Sequence, residues 1–96
     1  MIVSFGDKGT EDFYNGEETK DSRRIPANIQ AVAFRKLVML NNTHELCDLR
    51  IPPANRLEAL RGDLAGRHSI RINDQWRVVF TWNGGNAVGV AIVDYH

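Results

Sequence analysis

Apolar positions along this chain change their period once, dividing it into a helical first half and a strand-rich second half. From Ile25-Pro26 onward, Ile29, Val32, Ala33, Leu37 and Leu40 recur at three- and four-residue steps, with Phe34 and Val38 widening the stripe. That spacing predicts an amphipathic helix. Pro26 suits its first turn, where a missing N–H costs nothing, and Asn41-Asn42 stop it. Upstream, Met1–Phe5 alternates loosely and reads as a short strand. Thr10–Tyr14 reads as a turn or two of helix ended by Asn15-Gly16. Residues 17–24 (EETKDSRR) hold no apolar side chain and are expected to form an exposed, mobile loop.

Past the helix, Thr43–Leu49 predicts a short turn with Thr43 as N-cap, and Pro52-Pro53 an extended connection. The period then drops to two, the mark of half-buried strands. Arg56–Leu60 is a short strand candidate and Ser69–Ile72 alternates. Trp76–Trp82 sets Trp76, Val78, Phe80 and Trp82 on one face, and Val88, Val90 and Ile92 line one face of the last strand. Gly62-Asp63, Ala65-Gly66, Asn73-Asp74 and above all Asn83-Gly84-Gly85-Asn86 supply the turns. A strand, two helices and then a meander of four strands predict an α+β fold. The two helices should pack on one face of a mostly antiparallel sheet of about five strands, the first of them N-terminal. The opposite face, without helices to cover it, should be partly wet.

Length and composition narrow this further. Ninety-six residues without a repeat or linker make one domain, 1–96, and such a chain buries about 60–65% of its unfolded surface. The lone Cys47 can neither form an internal disulfide nor begin a zinc ribbon, and three scattered His give no metal-ligand spacing. Val88–Val93 is far too short to span a bilayer, and Met1–Phe5 runs at once into Gly6, Asp7 and Lys8, unlike a signal sequence. A cytoplasmic domain with no membrane partner is expected.

Twelve basic residues against twelve acids sum to zero, which would argue against a polyanionic partner if the charges were evenly spread. They are not. Residues 1–22 hold two Lys against six acids, whereas residues 49–96 hold six Arg against four acids. Arg56, Arg61, Arg67, Arg71 and Arg77 fall within 22 residues of the strand region. Arginine presents a planar fork suited to phosphate, and a local basic patch can recruit a polyanion whatever the total. The same residues also suit ordinary solvated strand faces. Arg71 and Arg77 flank the Asn73-Asp74 turn almost symmetrically, so a hairpin would bring them together. Like charges set opposite each other weaken a sheet, which makes the cluster suggestive of a bound anion.

The C-terminus carries a second set of candidates. Asp94-Tyr95-His96 places a carboxylate, a phenol and an imidazole at the end of an apolar strand, and His is the usual proton-transfer group near neutral pH. A frayed terminus is the competing reading. Glu58 is either an acid/base partner or the ion-pair partner of an arginine. His44 reads as a loop residue, and His68 as strand surface or a contact at the edge of a site.

Four stretches together resemble a known family: Asn55-Arg56-Leu57-Glu58-Ala59-Leu60-Arg61-Gly62-Asp63, Ser69-Ile70-Arg71-Ile72-Asn73-Asp74-Gln75-Trp76-Arg77, Phe80-Thr81-Trp82, and the terminal Val93-Asp94-Tyr95-His96. They are similar to HigB-type toxins, the plasmid maintenance killer branch of the RelE/ParE superfamily. The likeness runs the length of the chain, densest over 55–96 and loosest over 6–25. It implies a RelE-like fold and a ribosome-dependent endoribonuclease that cuts mRNA in the A site by acid–base chemistry without a metal or cofactor. It also implies a HigA-type helix-turn-helix antitoxin as partner, with the ribosome and its mRNA as target and operator DNA reached only through the antitoxin. By position, Asp94, Tyr95 and His96 match the family's terminal catalytic residues, and Arg77 matches a phosphate-stabilising arginine. Arg61 matches the basic residue of the L-K/R-G-D turn, with Arg56, Arg67 and Arg71 as further phosphate contacts.

Glu58 departs from the pattern, since some HigB toxins have a catalytic histidine there. A carboxylate can take a proton but repels phosphate, and such groups contribute about 10²–10⁴-fold each. A mild toxin is expected. Two other readings stand beside it: a ParE-type gyrase poison without nuclease chemistry, and a weak member acting mainly in operon control.

Overall fold

The computed structural model of the chain describes residues 1–94. Its four strands run in chain order across one antiparallel sheet: β1 (Glu58–Ala59), β2 (Arg67–Arg71), β3 (Trp76–Asn83) and β4 (Asn86–Asp94). Two α-helices precede them, α1 (Lys8–Tyr14) and α2 (Gln30–Asn42). The α+β class is as the sequence implies, and its periodicity explains the packing. Ala33, Leu37 and Leu40 of α2 are wholly buried, together with Ile25, Ile29 and Leu49, against Ile70 of β2, Val78 and Phe80 of β3 and Val90 and Ile92 of β4. Removing such a side chain costs about 2–5 kcal/mol, so this seam anchors the sheet.

The expected N-terminal strand is reduced to two isolated parallel bridges, Ile2 to Ala87 and Phe5 to Val90, so the sheet has four strands among the described residues rather than about five. The reason lies in β4. Thr81 pairs with Val88 and Val79 with Ala91, so Gly89 and Val90 together oppose Phe80. Gly89 takes φ 63°, the left-handed geometry of a glycine bulge. The bulge breaks the regular edge, and the Ser4 hydroxyl rather than a carbonyl accepts the Gly89 N–H at 2.9 Å. It also corrects the predicted face of this strand. Ala87, Val90 and Ile92 are buried, while Val88, opposite Thr81, is only half-buried.

Three further expectations change. Thr43 caps the end of α2, its hydroxyl donating to the Met39 carbonyl at 2.7 Å, and is not the N-cap of the next turn. The strand predicted over Arg56–Leu60 shrinks to Glu58–Ala59, because Arg56 adopts φ 45° and bends the chain before it can pair. Residues 17–24, expected to be loose, are tied down by polar bonds instead of apolar ones. Thr19 Oγ1 donates to Asp12 Oδ2 at 2.7 Å, Ser22 is buried, and Arg24 reaches Asp7 Oδ1 at 2.7 Å and the Ile92 carbonyl at 3.2 Å. Asp7 is meanwhile the N-cap of α1, accepting the Thr10 N–H at 2.7 Å. Thus α1 starts earlier than its apolar residues indicate. Among the described residues no helix is long and apolar enough to cross a membrane.

Candidate functional site

Side chains of directly opposed residues lie on the same face of a sheet, so strand register sorts the candidates. Glu58 opposes Ser69, Ser69 opposes Val79, Arg67 opposes Thr81, and Arg71 opposes Arg77, which in turn opposes Val93. Glu58, Arg67, Ser69, Arg71, Arg77, Val79 and Thr81 therefore share one face. Ile70, Val78 and Phe80 turn to the other, where α2 covers them. The hairpin does bring Arg71 and Arg77 together. The arginine face is wet at its margin, where Arg67 is exposed, but dry at its centre, where Ser69 and Val79 are buried.

Arg77 is the anchor of this face, with only 8% of its surface exposed. Its guanidinium lies across β2: Nε donates to the Ser69 hydroxyl at 2.8 Å and Nη2 to the Arg56 carbonyl at 2.7 Å. Glu58 Oε1 stands 3.7 Å from Nη1, on a side chain that is 51% exposed. Of the two roles the sequence left open for Glu58, acid/base partner and ion-pair partner, this distance matches the second and leaves the first untouched. Arg71 turns to Asp74, with which it forms an ion pair and hydrogen bond. Each of the two opposed cations thus has a carboxylate beside it, which offsets their repulsion. The positive field extends onto α2. Burial first, then the charges of Arg35 and Arg71, pushes the Lys36 ammonium below its ordinary pKa of 10.5, and its Nζ donates to Asn55 Oδ1.

The remaining candidates are placed differently. The Arg56 side chain is exposed, and it is the backbone carbonyl of Arg56 that enters the site. Arg61 is exposed beyond the end of β1, where a single 3₁₀ turn, Gly62–Leu64, follows. Asp94 opposes Trp76, so by alternation it lies on the face away from Arg77, where Gln75 Nε2 donates to its Oδ2 at 2.9 Å. Tyr95 and His96 lie outside the described residues. His68 sits on the helix-covered face with its ring 6.2 Å from that of Phe80, lining a cleft of about 290 Å³ with Leu46, Cys47, Arg50, Leu57 and Ala59. It is thus not an edge contact of the arginine face.

Sequence reasoning overlooked Ser69. The signal was available: in Arg67-His68-Ser69-Ile70-Arg71, a serine stands at period two between two arginines, so it must share their face. Chemically, the arrangement presents a fixed guanidinium with further arginines at hand and an exposed carboxylate beside it. Such a surface can hold a phosphodiester and stabilise charge as it builds on the non-bridging oxygens.

Three comparisons bear on this geometry. A profile of HigB-like toxins, described as the RelE-like toxin of the type II toxin–antitoxin system HigB, matches residues 3–96. The chain is 47% identical over 88 residues to Toxin HigB-1 of Vibrio cholerae serotype O1, spanning 92% of this chain and 90% of that protein. Among solved structures, it superposes on a variant of YafQ from E. coli with TM-score 0.64 at 10% identity, covering 98% of this chain and 93% of the other. A YoeB–YefM complex from Staphylococcus aureus contains a chain that it matches with TM-score 0.54 at 19% identity, over 100% and 98% of the two chains. At those identities the structural likeness speaks for the fold alone.

Proposed function

The chain belongs to the HigB toxins of type II toxin–antitoxin systems, and from that membership we propose that it is an endoribonuclease that cuts mRNA on the ribosome. The observation that carries this reading is the Arg77 guanidinium, 8% exposed on the sheet face away from α2 and held there by Ser69 and the Arg56 carbonyl with Arg71 opposite. In the reaction the ribose 2′-oxygen attacks the adjacent phosphorus as a base takes its proton. The bond to the 5′-oxygen breaks and an acid protonates that oxygen, leaving a 2′,3′-cyclic phosphate and a 5′-hydroxyl. Negative charge grows on the non-bridging oxygens along the way. Arg77 meets that charge, and a preorganised donor of this kind is worth about 10²–10³-fold in rate.

Arg71 and Arg67 continue the positive track along β2 and guide the backbone on either side of the cut, with Arg61 beyond the strand end. Proton transfer falls to His96, with Tyr95 beside it, as the family resemblance implies. Asp94, turned to Gln75, anchors the end of β4 and does not touch the phosphate in this reading. Glu58 shares Arg77 with any incoming phosphate, since its carboxylate already stands beside Nη1. The cut is therefore slow, and the toxin mild. Its partner is a HigA-type antitoxin, through which it reaches operator DNA.

Induction of the protein without its antitoxin tests the proposal. Growth arrest with new mRNA 5′-ends in translated frames supports it. Arrest with broken DNA and a DNA-damage response, and no mRNA fragments, replaces it with the gyrase-poison reading.

A further inference from the structure

Resting on the reading that Arg77 meets the scissile phosphate, we propose that Ser69 is a positioning residue for the reaction, holding the plane of the Arg77 guanidinium together with the backbone carbonyl of Arg56. An arginine side chain has four rotatable torsions, and a single ion pair leaves its fork free to swing. Here two acceptors from separate segments fix it. Ser69 Oγ takes the Nε–H at 2.8 Å from β2, and the Arg56 carbonyl takes an Nη2–H at 2.7 Å from the segment before β1. Two non-collinear bonds define a plane, and the pair to Glu58 adds a third contact on the exposed side.

Each acceptor is itself held. Ser69 is wholly buried, paired through its backbone position with Glu58 on one side and Val79 on the other. Arg56 has φ 45°, uncommon for a residue with a bulky side chain, and this turns its carbonyl to Arg77. The preceding Asn55 is wholly buried, with Nδ2 donating to the Leu49 carbonyl at 3.1 Å and Oδ1 accepting from Lys36. A bend locked by Asn55 thus aims the second acceptor. Arg56 contributes to the site through its backbone, which explains why its side chain can remain exposed.

The test is a double-mutant cycle read by single-turnover cleavage on ribosomes programmed with mRNA, using the full chain. Ser69→Ala is expected to slow cleavage about 10- to 100-fold while affinity for the ribosome stays within about twofold, because misalignment of a fixed group acts on the chemical step. Ser69→Cys keeps the volume but offers a poor acceptor, so it is expected to lose a similar factor without a packing defect. In an Arg77→Lys background, Ser69→Ala should cost nothing further, since its only route to the reaction has been removed. In parallel, the Arg77 Nε–H resonance, protected from exchange in the parent, should exchange rapidly in Ser69→Ala while the backbone amide spectrum keeps its dispersion. Parent-like cleavage by Ser69→Ala, or the same loss in both backgrounds, overturns the positioning role. Parent-like cleavage by Arg77→Lys overturns the assignment of Arg77 itself, so the two failures are told apart.

Discussion

Arg71 and Arg77 stand directly opposite each other on β2 and β3, two cations on one face of the sheet, each with a carboxylate of its own. Opposed like charges weaken a sheet unless anions offset them, here the two neighbouring carboxylates and, in the proposed reaction, a phosphate. Replacing Arg71 with Ala should therefore leave stability within about 0.5 kcal/mol of the parent, or slightly above it. It should also weaken binding to RNA and flatten its dependence on salt. Chemical denaturation and binding at two ionic strengths check both parts.

In the proposed reaction Glu58, beside Arg77 Nη1, acts as a brake. Neutralising it as Glu58→Gln is expected to tighten binding to anionic RNA, and Glu58→His to speed cleavage by about tenfold or more by restoring a base near neutral pH. Single-turnover rates of the three proteins decide. A Glu58→His protein slower than the parent would make Glu58 itself the working base.

The junction of Asp7, Thr10, Arg24 and Ile92 ties α1 and the polar segment to β4. Burial pushes the Asp7 carboxyl up, but hydrogen bonds from Arg24 and the Thr10 amide and the Arg24 charge outweigh it, leaving its pKa below the ordinary 3.8. With a folded pKa below the unfolded one, the carboxylate stabilises fully above the ordinary carboxylate range. That contribution is lost as pH falls through the depressed value. Asp7→Ala should cost about 1–2 kcal/mol at pH 7, cap included. The gap from the parent should narrow in acid, as urea melts at pH 7 and near pH 3 can show.

Gly9 sits inside α1, where alanine would ordinarily gain about 1 kcal/mol of helix propensity. Here a Cβ would lie 2.6 Å from the Asp21 carbonyl oxygen and 2.8 Å from Arg24 Nε. Overpacking against backbone costs about 1–3 kcal/mol, so the clash wins and Gly9→Ala should lower the melting temperature.

The contrast between Leu37 and Arg24 shows what the sequence could reveal. Leu37 belongs to a periodic stripe, and burial of such stripes is dictated by local spacing alone; α2 and the β2–β4 meander follow from it. Arg24 lies in an apolar-free run, and its structure depends on partners 17 and 68 residues away, which no local pattern encodes. The same holds at the site. Arg71 and Arg77 were legible because one turn joins them. Asp94 was named with Arg77 as catalytic only through the family resemblance, and strand register, which no local pattern shows, sets it on the opposite face. The left-handed bend at Arg56, which turns a backbone carbonyl into part of the site, has no side-chain signature at all.

The most direct test of this account is cleavage of mRNA on programmed ribosomes by the purified parent and its Arg77→Ala variant, both first shown to bind the antitoxin equally. The parent should release fragments with 5′-hydroxyl ends at A-site codons, and Arg77→Ala should be slower by about 10²–10³-fold. Equal cleavage by the two proteins, or none by a parent that still arrests growth, would contradict it.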